Sequence, residues 1–254
     1  MTIAAIAAGP SPAGPASAGT GRPVGIPTAL TPGGAQAVFR ATLDVLARPG
    51  TVKRLPSAAD EPLAAHVPAA LLPLLALADL STPACVAGHE EGAWDEIVRV
   101  ATNAPRTALS DARLVTALRP LTADELGGLR TGTAAAPEDG ALACLAVSGI
   151  AIVDGADTAD VAGVRDRADG SGGGGSDGDG GDATGDGGRL WLRLSGPGVP
   201  GTRAVIVTGL PAGFAAARRR LVGEFPAGAD LLLIAPDGAM TGLPRTTTLQ
   251  EEAS

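Results

Sequence analysis

The sequence predicts an α/β fold in which one mixed β-sheet is sandwiched by helices. Three observations predict it. Strand-like apolar runs and helical stretches interleave from Ala84 onward, the order that builds a sheet with helices on its faces. Leu190, Leu192 and Leu194 alternate with Trp191 and Arg193, the two-residue period of a half-buried strand. Ala35, Phe39, Leu43 and Leu46 recur at helical spacing behind a start signal, Thr31-Pro32, with threonine as N-cap and proline at the first helical position.

The first helix stops at Arg48-Pro49-Gly50, because proline cannot continue a helix and glycine permits a left-handed exit. A second helix is expected from Pro68 to Asp79 through Leu71, Leu72, Leu75 and Leu77. Pro73 inside it calls for a kink or a late start. Ala84 to Ala87 reads as a short strand. Trp94, Ile97, Val98 and Ala101 form a third helical stripe. Arg113 to Leu118 reads as a strand, and Thr122 to Leu129 as a helix. Thr122 with Glu125 three residues on makes a capping box. Ala141 to Val147, Arg189 to Leu194 and Ala204 to Val207 read as strands, and Pro211 to Glu224 as a helix. Pro236-Asp237-Gly238 turns the strand Leu231 to Ala235 into a hairpin with Ala239 to Leu243.

Two stretches fall outside this pattern. Met1 to Ala29 is mostly Ala, Gly, Pro and Ser, a composition that buries too little surface to offset its ordering entropy. A disordered tail is expected there. Residues 150–188 are expected to be a flexible insertion whose tip, Gly170 to Gly188, is almost entirely Gly, Asp and Ser. Residues 30–250 then form a single domain, with 251–254 as a short tail.

Composition excludes several functions. The chain has 254 residues, a net charge of −8 and one lysine, Lys53. An acidic chain is poorly suited to nucleic acid, which rewards neutralising phosphates with Lys and Arg. Arg218, Arg219 and Arg220 share one helical turn and read as a solvated face. No apolar run reaches the roughly 20 residues of a membrane helix. Met1 to Pro10 lacks the basic start of a secretory signal. Cys85 and Cys144 lie in apolar runs and read as buried free thiols in a reducing compartment. A cytoplasmic protein is expected. Two cysteines cannot build an iron–sulfur cluster alone, and His66 and His89 are not spaced as a ligand pair.

The motifs are sparse. Gly196-Pro197-Gly198-Val199-Pro200-Gly201 fits a G-x-G-x-x-G pattern. The next residues, Arg203 to Val207, read as a strand, not the helix whose amides would meet a pyrophosphate, and two prolines remove donors. A turn is expected. Asp177, Asp179, Asp182 and Asp186 stand among glycines, but Gly188 occupies the position where a calcium loop needs a bidentate Glu. No Gly-x-x-x-x-Gly-Lys precedes Lys53. Nor does the region around Lys53 carry a constellation for a pyridoxal Schiff base.

Three polar stretches can cradle a phosphate or form ordinary caps and turns. They are Thr102-Asn103-Ala104-Pro105, Thr131-Gly132-Thr133 leading to Ala136-Pro137-Glu138, and Leu243-Pro244-Arg245-Thr246-Thr247. As a ligand-binding set, Arg245 with Thr246 and Thr131 with Gly132 and Thr133 would supply donors, and Asp79 or Asn103 would order the site.

These stretches also carry a resemblance. Phe39-Arg40 to Arg48-Pro49-Gly50, Leu74 to Pro83 (LLALADLSTP), Thr102 to Pro105 (TNAP), Leu129 to Gly140 (LRTGTAAAPEDG), Leu192 to Gly198 and Phe225 to Thr247 are collinear with the signature segments of a known family. Together they resemble the H-subunit family of the bacterial carbon–phosphorus lyase core complex, which serves phosphonate utilisation. The resemblance spans about residues 30 to 250. The tail and the insertion have no recognised counterpart in it.

The resemblance implies a fold similar to pyridoxal-phosphate-dependent transferases without the cofactor site, so no cofactor is expected in this chain. It implies a homodimer that assembles with the G, I and J subunits. It also implies a role, with G, I and L, in transferring ribosyl triphosphate from ATP to an alkylphosphonate with release of adenine. This chain would be the accessory, non-catalytic member. The alternative is a phosphate-, phosphonate- or nucleotide-binding protein with its own pocket at the seven candidate residues.

Overall fold

The computed structural model describes residues 28–88, 93–153 and 188–252. The expected tail, apart from Thr28 and Ala29, lies outside these residues, as do His89 and the four aspartates of the glycine-rich stretch.

The chain begins with α1 (Pro32–Ala47), capped as expected: the Thr31 side chain accepts from the Gly34 amide at 3.0 Å. The edge strand β1 (Lys53–Arg54) comes next. A 3-10 turn over Ala69–Leu71 leads into α2 (Leu72–Leu77), so the chain resolves the Pro73 conflict by a late start. In that position proline gives up only an amide that the first helical turn leaves unpaired anyway. Then come β2 (Ala84–Ala87), α3 (Ala93–Thr102), β3 (Leu114–Ala117), α4 (Ala123–Gly127), β4 (Leu142–Ala146) and β5 (Gly149–Val153). The later elements are β6 (Arg189–Ser195), β7 (Arg203–Thr208), α5 (Phe214–Leu221), β8 (Asp230–Ile234), β9 (Ala239–Leu243) and β10 (Thr248–Glu252).

The described strands form two sheets, not the single sheet expected. The first has six strands in the order β1-β9-β8-β4-β3-β2. Its β8, β4, β3 and β2 are parallel, and β9 and β1 add antiparallel. The second is antiparallel, in the order β10-β6-β7-β5. The chain passes between sheets within two residues: the Val147 amide donates to Ile234 O of the first sheet, and the Ser148 amide to Thr208 O of the second. It crosses to the second sheet again, from β9 to β10, over a Pro244–Thr247 turn. The second sheet was hard to foresee. Its edge strand β10 reads TLQEE, with a single apolar residue, and β5 occupies residues assigned to the insertion. The expected insertion therefore starts inside a strand, and the folded unit runs to Glu252 rather than ending at residue 250.

Alternation sends the side chains of the inner strands of the first sheet to two cores. On one side Leu114, Cys144, Leu232, Ile234 and Met240 pack against α1, α2 and α3. On the other, Val115, Leu145, Leu231, Leu233 and Leu243 meet Leu192, Leu194, Val205 and Val207 of the second sheet, together with Phe214 and Leu221 of α5. Both Cys residues are free. Cys144 is fully buried, which pushes its thiol up to about 12, whereas Cys85 is only half-buried.

Two close approaches join the layers. Gly198 (φ +79°) lies in the connection between β6 and β7, where a Cβ would fall 2.2 Å from Ala47 O at the end of α1. The G-x-G-x-x-G segment is thus a strand-to-strand turn, closed by Val199 N to Gly196 O at 3.1 Å. Gly242 of β9 likewise admits α1, since a Cβ there would lie 2.5 Å from Val45 O.

Candidate functional site

Parallel pairing puts Ala84, Leu114, Leu142 and Asp230 in one line across the first sheet. Every candidate residue lies just outside this line or on the turn leaving β9, at the end where the parallel strands begin.

Asp79 and Asn103 are at the start of β2. The Asp79 carboxylate accepts from Ser81 N at 2.9 Å, Ser81 Oγ at 2.8 Å and Thr82 Oγ1 at 2.6 Å. These donors, led by the Thr82 hydroxyl, hold its carboxyl below the ordinary carboxylate value. The residue closes the turn after α2. Asn103 has φ +57° and its amide donates to Arg99 O. It ends α3 in the left-handed conformation that Asn tolerates better than most residues. Thr102 Oγ1 donates to Val98 O and accepts from Ala104 N. Pro105 O then accepts from Ala84 N, aligning β2.

Thr131, Gly132, Thr133 and Arg245 gather at the starts of β4 and β8. Thr131 O accepts from Gly228 N at 2.7 Å. Gly132 (φ +70°) lies where a Cβ would be 2.7 Å from Ala136 O, and Thr133 Oγ1 accepts from Ala136 N at 3.0 Å. Arg245 grips Asp230 through Nε at 3.2 Å and Nη2 at 2.8 Å, and its own backbone amide reaches Asp230 Oδ1 at 2.7 Å. Its Nη1 donates to Pro137 O at 2.6 Å and to Pro226 O at 3.4 Å. Thr246 is exposed on the adjoining turn.

Three residues here escaped the sequence reading: Arg113, Arg130 and Asp230. Consecutive carbonyls of the 3-10 turn Pro137–Asp139 each accept from a different arginine. Arg245 takes Pro137 O, Arg113 Nη2 takes Glu138 O at 2.9 Å, and Arg130 Nε takes Asp139 O at 2.8 Å. The carbonyl end of such a turn carries partial negative charge, so cations are favoured there. The result is an arginine-clamped node that fixes the entry to β4. The only local signal was the density of Arg, Gly and Pro around it.

The described hollows lie elsewhere. One cleft of about 390 Å³ opens at the opposite end of the sheet, against Ala146-Val147 and Ile234-Ala235 where β4 and β8 finish. Ligands of open α/β sheets favour that end. Its walls are mainly apolar, from Leu55, Val67 and Leu72, and Ser57 and Asp237 are the polar side chains. No Lys or Arg lines it. Asp237 accepts from Arg54 Nη1 at 2.8 Å at the exposed rim. Among the described residues no cluster of three His, Cys, Asp or Glu is arranged to hold a metal. No described helix is long and apolar enough to cross a membrane.

Comparison with known families decides the assignment. The family model for bacterial phosphonate metabolism protein (PhnH) matches residues 29–171 and 180–250. The chain belongs to the PhnH family. No curated protein matches the chain. The PhnH match also runs through residues 150–171 and from 180 on. Much of the stretch expected to have no family counterpart therefore has one. Membership places the chain in phosphonate metabolism. It also brings the node and the TNAP and PRTT stretches within one family domain.

Proposed function

We propose that the chain is an accessory, non-catalytic subunit of the carbon–phosphorus lyase core complex. Its place is alongside the G, I and L subunits, in the transfer of ribosyl triphosphate from ATP to alkylphosphonate with release of adenine. It acts as a cytoplasmic homodimer docked to the G, I and J subunits. Its fold is of the pyridoxal-phosphate-dependent transferase type and takes no cofactor.

The observation that carries this reading is the occupation of Arg245. Its guanidinium makes four hydrogen bonds to Asp230, Pro137 and Pro226. The neighbouring Arg113 and Arg130 also serve main-chain carbonyls. A phosphonate site needs cationic donors aimed at the ligand, and here they bind the protein itself. The one lysine supports the cofactor part of the reading: Lys53 Nζ pairs with Asp44 at 3.1 Å on the edge strand and does not line the 390 Å³ cleft.

The test is co-expression with cognate G, I and J subunits followed by size exclusion. Co-elution is expected, and elution of this chain apart from them refutes the reading. Calorimetry on the pure chain should show no heat with ATP or methylphosphonate. Incubation with pyridoxal phosphate should give no protein-bound visible absorption band.

A further inference from the structure

The two sheets end in four edge strands, and three of these are guarded against pairing with another chain. A sheet edge presents main-chain amides and carbonyls to any extended segment, and proteins blunt it with charge, shortness or a covering loop. In the first sheet, β1 is only Lys53-Arg54. At its other edge a loop covers the start of β2: the Ala84 amide donates to Pro105 O at 2.9 Å, and its carbonyl accepts from the Thr107 amide at 3.1 Å. In the second sheet, β10 reads Thr-Leu-Gln-Glu-Glu, with Glu251 exposed.

The fourth edge has none of these devices. β5 reads Gly-Ile-Ala-Ile-Val, with no charge and no proline. Among the described residues it pairs with β7 alone. Ala151 is exposed and Ile152 is 37% exposed. Ile150 shares a face with Ile152 and packs against the core between the two sheets.

An extended backbone completes such an edge, and β5 is complementary to itself. Antiparallel pairing about a two-fold axis at Ala151 sets Ile150 opposite Ile152 of the partner subunit and Gly149 opposite Val153 of the partner subunit. Each Ile152 gains an apolar cross-strand neighbour, and no charge meets a charge. That matters for a chain of net charge −8, whose copies repel one another over most of their surface. The Arg218–Arg220 turn is no basic landing patch for an acidic copy. Arg218 is 2% exposed, contrary to the solvated face expected there, and Arg220 Nη2 donates to Ala123 O at 3.0 Å.

We infer that two copies of the chain join through β5, so that their second sheets become one continuous sheet. The inference rests on the homodimer reading above and assigns its interface.

Ala151 tests it, because its side chain is exposed and would meet its own copy on the axis. In sedimentation of the full chain the parent should dimerise. Ala151→Lys and Ala151→Glu each place like charges opposite one another and should raise the dimer Kd by about 100-fold or more. Mixed in equal amounts, these two variants should pair with each other and recover the dimer. Ala151→Thr, uncharged and suited to a strand, should dimerise like the parent. Hydrogen exchange on the parent gives a readout free of substitutions: protection of the Ile150–Val153 amides should rise across the concentrations at which the dimer forms. Three results each overturn the β5 interface and leave the homodimer standing: a dimer that either charged variant leaves intact, a mixture that stays monomeric, or β5 protection that ignores dimer formation. A parent that stays monomeric refutes the homodimer reading itself, and the interface with it.

Discussion

At the scale of single residues, Arg245 is the most committed side chain at the starts of β4 and β8. Its side chain is 15% exposed and that of Asp230 26%, so the pair is partly withdrawn from water. Removing one partner of such a pair leaves the other charge uncompensated. Arg245→Ala should cost about 3 kcal/mol in urea unfolding. Arg245→Lys should recover little, because an ammonium cannot reproduce the planar fork that reaches Asp230, Pro137 and Pro226 together. If Arg245 instead served a ligand, the alanine variant would keep its stability and lose binding.

Glu125 supplies a pH-dependent prediction at the same scale. Its carboxylate accepts from Arg119 at 2.7 and 2.9 Å and from the Thr122 amide at 2.8 Å. These bonds, led by that to Arg119, lower its pKa to about 2. A carboxyl depressed in the folded state stabilises above its unfolded pKa, near 4.3, and that stabilisation is lost as pH falls toward 2. The side chain is 30% exposed, so solvent screening reduces the effect to about 1–2 kcal/mol. Urea midpoints of the parent should fall between pH 4.5 and 2 more steeply than those of Glu125→Gln. Parallel curves would show that the pair contributes nothing.

At the scale of elements, the start of α1 separates two adjacent glycines. The buried Glu61 carboxylate accepts from Thr31 N at 3.0 Å, Thr31 Oγ1 at 2.7 Å and Leu63 N at 3.1 Å. It occupies the anion-favouring end of the helix. A Cβ on Gly34 would lie 1.9 Å from Glu61 Oε2, while one on Gly33 meets nothing within 4 Å. Gly34→Ala should therefore destabilise by about 1–3 kcal/mol. Gly33→Ala should be neutral or stabilise by up to about 1 kcal/mol. Thermal unfolding of the two variants side by side checks the pair, and equal Tm values would refute the contact.

This helix also shows what a sequence can and cannot reveal. Thr31-Pro32 and the Thr122/Glu125 capping box were legible because their partners lie three residues away. Glu61 was not, since it caps across 30 residues, and no local pattern marks a carboxylate for that use. The candidate site divided in the same way. Asp79, Asn103 and Thr133 were visible as polar turn residues, and their bonds are local. Arg245 was visible by type, but its acceptor Pro137 lies 108 positions away, so its use as a clamp emerges only once β4, β8 and β9 are assembled.

At the scale of the whole molecule, the six-stranded sheet belongs to both cores. Leu231 and Leu233 of β8 face the second sheet, while Leu232 and Ile234 face the helices. Neither layer can lose its packing without exposing the other face of the same strands. The Gly198 and Gly242 approaches further bind α1 to both sheets. The described layers should therefore unfold as one cooperative unit. The two tryptophans report on opposite layers: Trp94 packs with the helical core, and Trp191 lies on the far face of the second sheet against Ile206. Variants retaining one tryptophan each, Trp94→Phe and Trp191→Phe, separate the signals. Their fluorescence midpoints in urea should each coincide with the far-UV circular dichroism midpoint of the same variant. A Trp191 signal that moved at lower urea than the dichroism would mean that the second sheet detaches first. The shared strands would then not couple the layers, and the Val147-Ser148 and Pro244–Thr247 crossovers would act as hinges rather than as seams of one core.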